Sequence, residues 1–239
     1  TDAPEGTVHR SGFACFVGRP NAGKSTLTNA LVGQKVAITS GRPQTTRHTI
    51  RGIVNRPDAQ LILVDTPGLH RPRTLLGERL NDLVRDTLSE VDVIAFCLPA
   101  DQKIGPGDRY IANQLAELKG GRRSTPVIAV VTKSDLVSHE ELAMHLLAVD
   151  QLGEWADIVP VSATGGYQVS TLADVLVKHL PEGVELYPDG ELTDEPEAVM
   201  VAELVREAAL EGVRDELPHS LAVVVDEILP REGSNGSNP

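Results

Sequence analysis

The chain has 239 residues, enough for one large domain and a smaller second one. Its formal charge of −12 and pI near 5.0 argue against a broad electrostatic footprint for nucleic acid, while leaving room for a local basic patch. Hydrophobic residues make up 41% but aromatics only 3%, so the core must be built from Val, Leu, Ile and Ala, as in a layered α/β protein.

Residues 1–11 read as an N-terminal extension. The first short, β-branched apolar run, Phe13–Val17, predicts a buried strand. It leads into Gly18-Arg19-Pro20-Asn21-Ala22-Gly23-Lys24-Ser25-Thr26, the G-x-x-x-x-G-K-[ST] phosphate loop in its required place between a strand and a helix, here Lys24–Leu31. Gly18 and Gly23 let successive N–H groups face phosphate oxygens, and the helix N-terminus adds positive potential. Asn21, Ala22, Gly23, Lys24, Ser25 and Thr26 are thus candidate phosphate-binding residues. Lys24 would reach the β- and γ-phosphates, and Ser25 would ligate Mg²⁺. The motif alone does not separate ATP from GTP.

The polar stretch Arg42-Pro43-Gln44-Thr45-Thr46-Arg47-His48 lacks periodicity and suits a loop that orders around nucleotide, with Thr46, or alternatively Thr45, completing the Mg²⁺ shell. Ile50–Val54 predicts an antiparallel edge strand. Leu61–Val64 predicts a buried one, delivering Asp65-Thr66-Pro67-Gly68 at its C-terminal end. Asp65 would hold a Mg²⁺-bound water, and the Gly68 N–H would contact the γ-phosphate. Lys24, Thr46 and Gly68 are the candidate catalytic residues.

A helix over Leu76–Leu88, a strand over Val91–Leu98 and a helix over Asp108–Leu118 follow. The strand Val127–Val131 precedes Thr132-Lys133-Ser134-Asp135, an [NT]-K-x-D pattern. A carboxylate at Asp135 accepts from both guanine N1–H and the exocyclic amine, donors that adenine lacks there, so it favours GTP over ATP. Lys133 would lay its stem along the base with its ammonium hydrated, and Thr132 would position the loop. After the helix Glu140–Leu152, the strand Ile158–Val161 reaches Ser162-Ala163-Thr164, where a backbone N–H, assigned to Ala163, would donate to guanine O6. The helix Thr171–His179 ends a doubly wound, mostly parallel six-stranded sheet spanning 12–180.

Pro, Gly and acidic residues interrupt periodicity over 181–197, which reads as a linker. Beyond it, Val199–Val213 predicts a helix and Leu221–Ile228 a strand, too little to close a core. Residues 198–230 therefore read as the start of a small, incomplete α/β domain, and 231–239 as a flexible tail or an expression remnant. Cys15 and Cys97 lie in apolar strands and read as buried hydrophobes, not metal ligands or a disulfide. No apolar run approaches the roughly 18 residues a membrane span needs, and no signal core opens the chain, so a cytoplasmic location is expected.

The phosphate loop, Gln44-Thr45-Thr46-Arg47-His48, Asp65-Thr66-Pro67-Gly68-Leu69-His70, Ala202-Glu203-Leu204-Val205-Arg206-Glu207 and Glu216-Leu217-Pro218-His219-Ser220 together resemble the translation-factor-related (TrmE-Era-EngA-like) P-loop GTPases, most closely the Era type. The resemblance covers nearly all of residues 12–229. It implies a GTP-hydrolysing switch that binds small-subunit ribosomal RNA and the ribosomal subunit, with 198–230 opening a KH RNA-binding domain. KH domains clamp RNA with a Gly-x-x-Gly loop; the match at Gly233–Gly236 lies in the linker-like tail and no KH helix precedes it.

Where many GTPases place a water-orienting glutamine, this sequence has Leu69, which implies slow intrinsic hydrolysis. Related GTPases with an asparagine at Asn21 use K⁺ beside the phosphates; the competing reading is that Asn21 only stabilises its loop. Arg42, Arg47, Arg71 and Arg73, with His48 and His70, read as solvated loop charges or as a basic partner face. Peripheral membrane association is a family analogy without an amphipathic anchor to support it, and a monomer is expected. The alternatives are a related GTPase of RNA modification and a nucleotide-stabilised RNA-binding module with little turnover. Asp135 argues against a third, an ATP-dependent kinase.

Overall fold

The computed structural model describes residues 8–39, 46, 49–69, 75–119, 125–212 and 221–228. Residues 1–194 and 195–239 are separate compact units. The first contains β1 (Arg10–Gly18), α1 (Lys24–Val32), β2 (Ile50–Arg56), β3 (Ala59–Asp65), α2 (Leu75–Glu90), β4 (Val93–Pro99), α3 (Pro106–Lys119), β5 (Val127–Thr132), α4 (His139–Asp150), β6 (Asp157–Pro160) and α5 (Val169–Lys178). The strands form one six-stranded sheet in the order β2-β3-β1-β4-β5-β6. Only β2 runs antiparallel, with Ile50 opposite Asp65.

Strand side chains alternate between faces, and both faces are covered, which is why the central runs are apolar throughout rather than every second residue. Ala14, Phe16, Leu61, Leu63, Ile128 and Val130 pack with Leu27 of α1 and with Leu172 and Leu176 of α5. Cys15, Val17, Ile94, Phe96, Leu98, Ala129 and Val131 face the other way, towards Val84 of α2, Ile111 and Leu115 of α3, and Val149 of α4. Both cysteines are free and fully buried. Burial pushes each thiol up to about 12, so neither is a nucleophile at neutral pH.

Residues 181–194, expected to link two domains, run back along the first unit as an irregular strap. Ser11 N–H donates to Pro181 O (3.1 Å). The buried Gln60 of β3 accepts from Leu186 N–H (2.7 Å) and Tyr187 N–H (2.9 Å) and donates to Tyr187 O (2.9 Å). Ile53 N–H donates to Leu192 O (2.9 Å), Gly52 bridges antiparallel to Thr193, and Arg51 pairs with Asp194 (2.9 Å). The strap thereby satisfies part of the free edge of β2.

In the second unit, α6 (Glu197–Gly212) matches the expected helix. It buries Ala202, Arg206 and Leu210, and Arg206 pairs with Glu203 one turn earlier (2.5 Å). The strand expected from Leu221 does not form. Residues 221–228 carry the alternating exposure of a strand, with Val224 at 80%, but no ladder. A helix closes its own hydrogen bonds whereas a strand borrows its partner's, and 221–228 joins no sheet among the described residues.

Candidate functional site

The C-terminal ends of β1, β3, β5 and β6 converge on one edge of the sheet, where ligands bind in open α/β folds. After β1 the chain turns through Asn21 (φ 62°) and Gly23 (φ 86°) into α1. Gly18 is required because a Cβ there would lie 2.8 Å from Cys97 O. Lys24 is 6% exposed, and its ammonium donates to the carbonyls of Gly18 (3.3 Å) and Arg19 (3.1 Å). Burial lowers its pKa, opposed by the charge of Asp65. A buried ammonium beside amide donors suits a phosphate.

The three expected oxygen donors meet. Ser25 Oγ donates to Asp65 Oδ2 at 2.6 Å and lies 3.2 Å from Thr46 Oγ1. Asp65 is fully buried, and its Oδ1 has no hydrogen-bond partner among the described residues. Burial raises the Asp65 pKa, while the Ser25 hydroxyl and the Lys24 charge oppose the rise. Two hydroxyls and a carboxylate, all hard oxygen donors with one lone-pair oxygen unused, are what a small divalent cation requires. Thr45, Arg42, Arg47, His48, His70, Arg71 and Arg73 lie outside the described residues.

Gly68 packs directly on the phosphate loop, where a Cβ would come within 2.7 Å of Pro20 N. The next residue is Leu69, at the position where many GTPases carry a water-orienting glutamine. Leu69 donates its N–H to Gly18 O (3.0 Å) and buries its side chain, 3% exposed, in the core with Val84 and Leu88. Its side chain is a packing group, turned into the α2 side of the sheet.

The base loop is coupled to the phosphate loop. Thr132 Oγ1 donates to Ala22 O at 2.7 Å, with both residues buried, so the two loops keep a fixed spacing. Lys133 adopts φ 57° ahead of the 3-10 turn Ser134–Leu136. Its ammonium, expected to stay hydrated, pairs with Asp101 (3.1 Å). Asp135 is exposed, and no hydrogen bond to its carboxylate occurs among the described residues. Ser162 is 1% exposed and accepts from Gly165 N–H (2.9 Å), closing the turn that carries Ala163 and Thr164. Sequence reasoning missed Asp101, and also Asn29, whose side chain ties α1 to Val36 and Ala37. No local pattern signals pairings of that kind.

The sequence matches the family described as 50S ribosome-binding GTPase over residues 13–133. It is 71% identical to GTPase Era of Streptomyces coelicolor across the whole chain and 76% of that protein. The chain belongs to the Era family of GTPases. Era of Mycolicibacterium smegmatis is 69% identical over 95% of this chain and 75% of its own. Among solved structures, Era in complex with MgGDPNP and nucleotides 1506–1542 of 16S ribosomal RNA superposes with TM-score 0.86 at 36% identity, over 94% of this chain and 74% of that one. An Aquifex aeolicus Era variant bound to GDP·AlF4⁻ matches equally well, at TM-score 0.86 and 36% identity. The Era fold thus accounts for the sheet order and for both loops at its C-terminal edge.

Proposed function

We propose that the chain binds GTP with Mg²⁺ at this edge, hydrolyses it to GDP, and uses the change to control engagement of small-subunit ribosomal RNA. The reading rests on one observation above all, the meeting of Ser25, Thr46 and Asp65 beside Lys24. The phosphate-loop amides and Lys24 hold the β- and γ-phosphates. Asp135 and Lys133 hold the guanine, with Ala163 N–H at O6. Ser25, Thr46 and Asp65 suit Mg²⁺, which when bound would neutralise charge developing between the phosphates. Thr46 and the Gly68 N–H then report whether a γ-phosphate is present.

The RNA output is carried over from the Era structure solved with 16S ribosomal RNA. Residues 198–230 are assigned as the start of a KH-like domain, with α6 as its first helix. A K⁺ site at Asn21 is supported by the left-handed backbone that exposes this residue at the loop apex.

The test is guanine- and adenine-nucleotide binding by the chain with and without Mg²⁺, together with Asp135→Asn and turnover in KCl and NaCl. Asp135→Asn removes a charge-assisted pair of hydrogen bonds and should weaken GTP by about a hundredfold or more while gaining xanthosine triphosphate. Equal ATP and GTP binding would sink the proposal. Equal turnover in the two salts would remove K⁺ alone.

A further inference from the structure

The phosphate loop contains a second cation, Arg19, and the structure shows what holds it. Arg19 Nε donates to Asp108 Oδ1 at 2.7 Å across 89 residues of sequence. The Asp108 side chain is 1% exposed and that of Arg19 27%. The other carboxylate oxygen, Oδ2, accepts Gly105 N–H at 2.8 Å, so Asp108 is itself fixed at the start of α3. Gly107 leaves room for the arginine stem, because a Cβ there would lie 2.8 Å from Arg19 Cδ.

Arg19 is also where the loop is organised. Its carbonyl accepts from Ala22 N–H (3.3 Å) and from the Lys24 ammonium (3.1 Å). The guanidinium therefore does not compete with Lys24 for phosphate; it is neutralised by a buried acid, and the pair pins the peptide against which Lys24 rests. We infer that Arg19 and Asp108 are a positioning pair that tethers the phosphate loop to α3 and holds Lys24 in register for the nucleotide phosphates.

This inference rests on the proposed nucleotide site. A merely structural ion pair would change thermal stability alone. A positioning pair changes the phosphate-binding step, so its loss should raise KM for GTP and the GDP dissociation rate while leaving kcat nearly constant.

The experiment compares the whole chain with Arg19→Ala, Arg19→Lys, Asp108→Asn and the Arg19→Ala/Asp108→Asn double variant, following fluorescent GDP release, steady-state GTPase kinetics and melting. Arg19→Ala should raise KM and the release rate by about tenfold, with kcat within about threefold. Arg19→Lys, which can still supply one charged donor, should recover most of the loss. The double variant should be no worse than the more damaged single, as expected of two members of one interaction. Asp108→Asn is the substitution most exposed to folding failure; Arg19, on the rim, keeps the test decisive. A lower melting temperature for Arg19→Ala with unchanged KM and GDP release would overturn the inference. If the unaltered chain bound no guanine nucleotide, the site assignment itself would fall.

Discussion

Replacing Gly68 with alanine tests the contact between the segment after β3 and the phosphate loop. The added methyl would sit 2.7 Å from Pro20 N, 2.9 Å from Pro20 Cα and 3.0 Å from Pro20 Cδ, against 3.4 Å or more for ordinary contact. The shortfall requires a displacement of about 0.7 Å, which would stretch the neighbouring Leu69 N–H to Gly18 O bond from 3.0 Å past the limit of hydrogen bonding. Overpacking of this kind costs about 1 to 3 kcal/mol. The phosphate loop is tied at Thr132 and at Asp108, so residues 66–69 should yield. Gly68→Ala should then lower the melting temperature by about 3 to 10 °C. It should slow GTP turnover by about tenfold or more, with GDP affinity changing by less than about threefold. Calorimetric melting, fluorescent GDP titration and phosphate-release kinetics measure these separately. Unchanged melting and turnover would refute the close approach, and equal loss of GDP and GTP binding would refute the order of stiffness.

Leu69→Gln, which places glutamine where many GTPases carry it, should not accelerate hydrolysis. The side chain is directed into the core, so burying an amide there costs about 3 kcal/mol and the melting temperature falls; faster turnover would show that the side chain can swing towards the nucleotide. The third expectation concerns pH. Partial burial lowers the pKa of His145 from the ordinary 6.5, against the opposing charges of Asp108 and Asp101, and its Nε2 has no hydrogen-bond partner among the described residues. The unfolded chain therefore takes up this proton first as pH falls. The His145 contribution is complete above pH 6.5 and is lost between that value and the lower folded one. His145→Gln should flatten the dependence of urea midpoint on pH in this window, and an unchanged slope would dismiss the assignment.

Much of the fold was legible because β-branched runs alternate with helical periodicity, and even the antiparallel edge strand could be read from Ile50–Val54. The phosphate and base loops were legible because their chemistry imposes residue types at fixed spacing. The rest depends on long-range hydrogen bonds that leave no local signature. The strap is held by Gln60 and by backbone groups more than 120 residues away, so its prolines and glycines read as a linker. Arg19 and Asp108 are each ordinary surface types in sequence, and only the return of α3 to the end of β1 buries the acid and pairs it with the arginine. The direction of Leu69 could not be inferred from a motif position alone. The segment 221–228 failed the opposite way, because alternation predicts a strand but not the sheet that completes it.

The strap also decides where mechanical load enters the molecule. The chain leaves the first unit beside β2 at Asp194, although the last helix of that unit ends at Lys178. Tension applied through residue 195 would reach the Arg51–Asp194 pair and the Gly52–Thr193 bridge before any part of α5. β2 begins soon after Thr46 and lies against the strand that ends in Asp65, so a tug on the downstream chain is delivered next to the Ser25–Asp65 hydrogen bond.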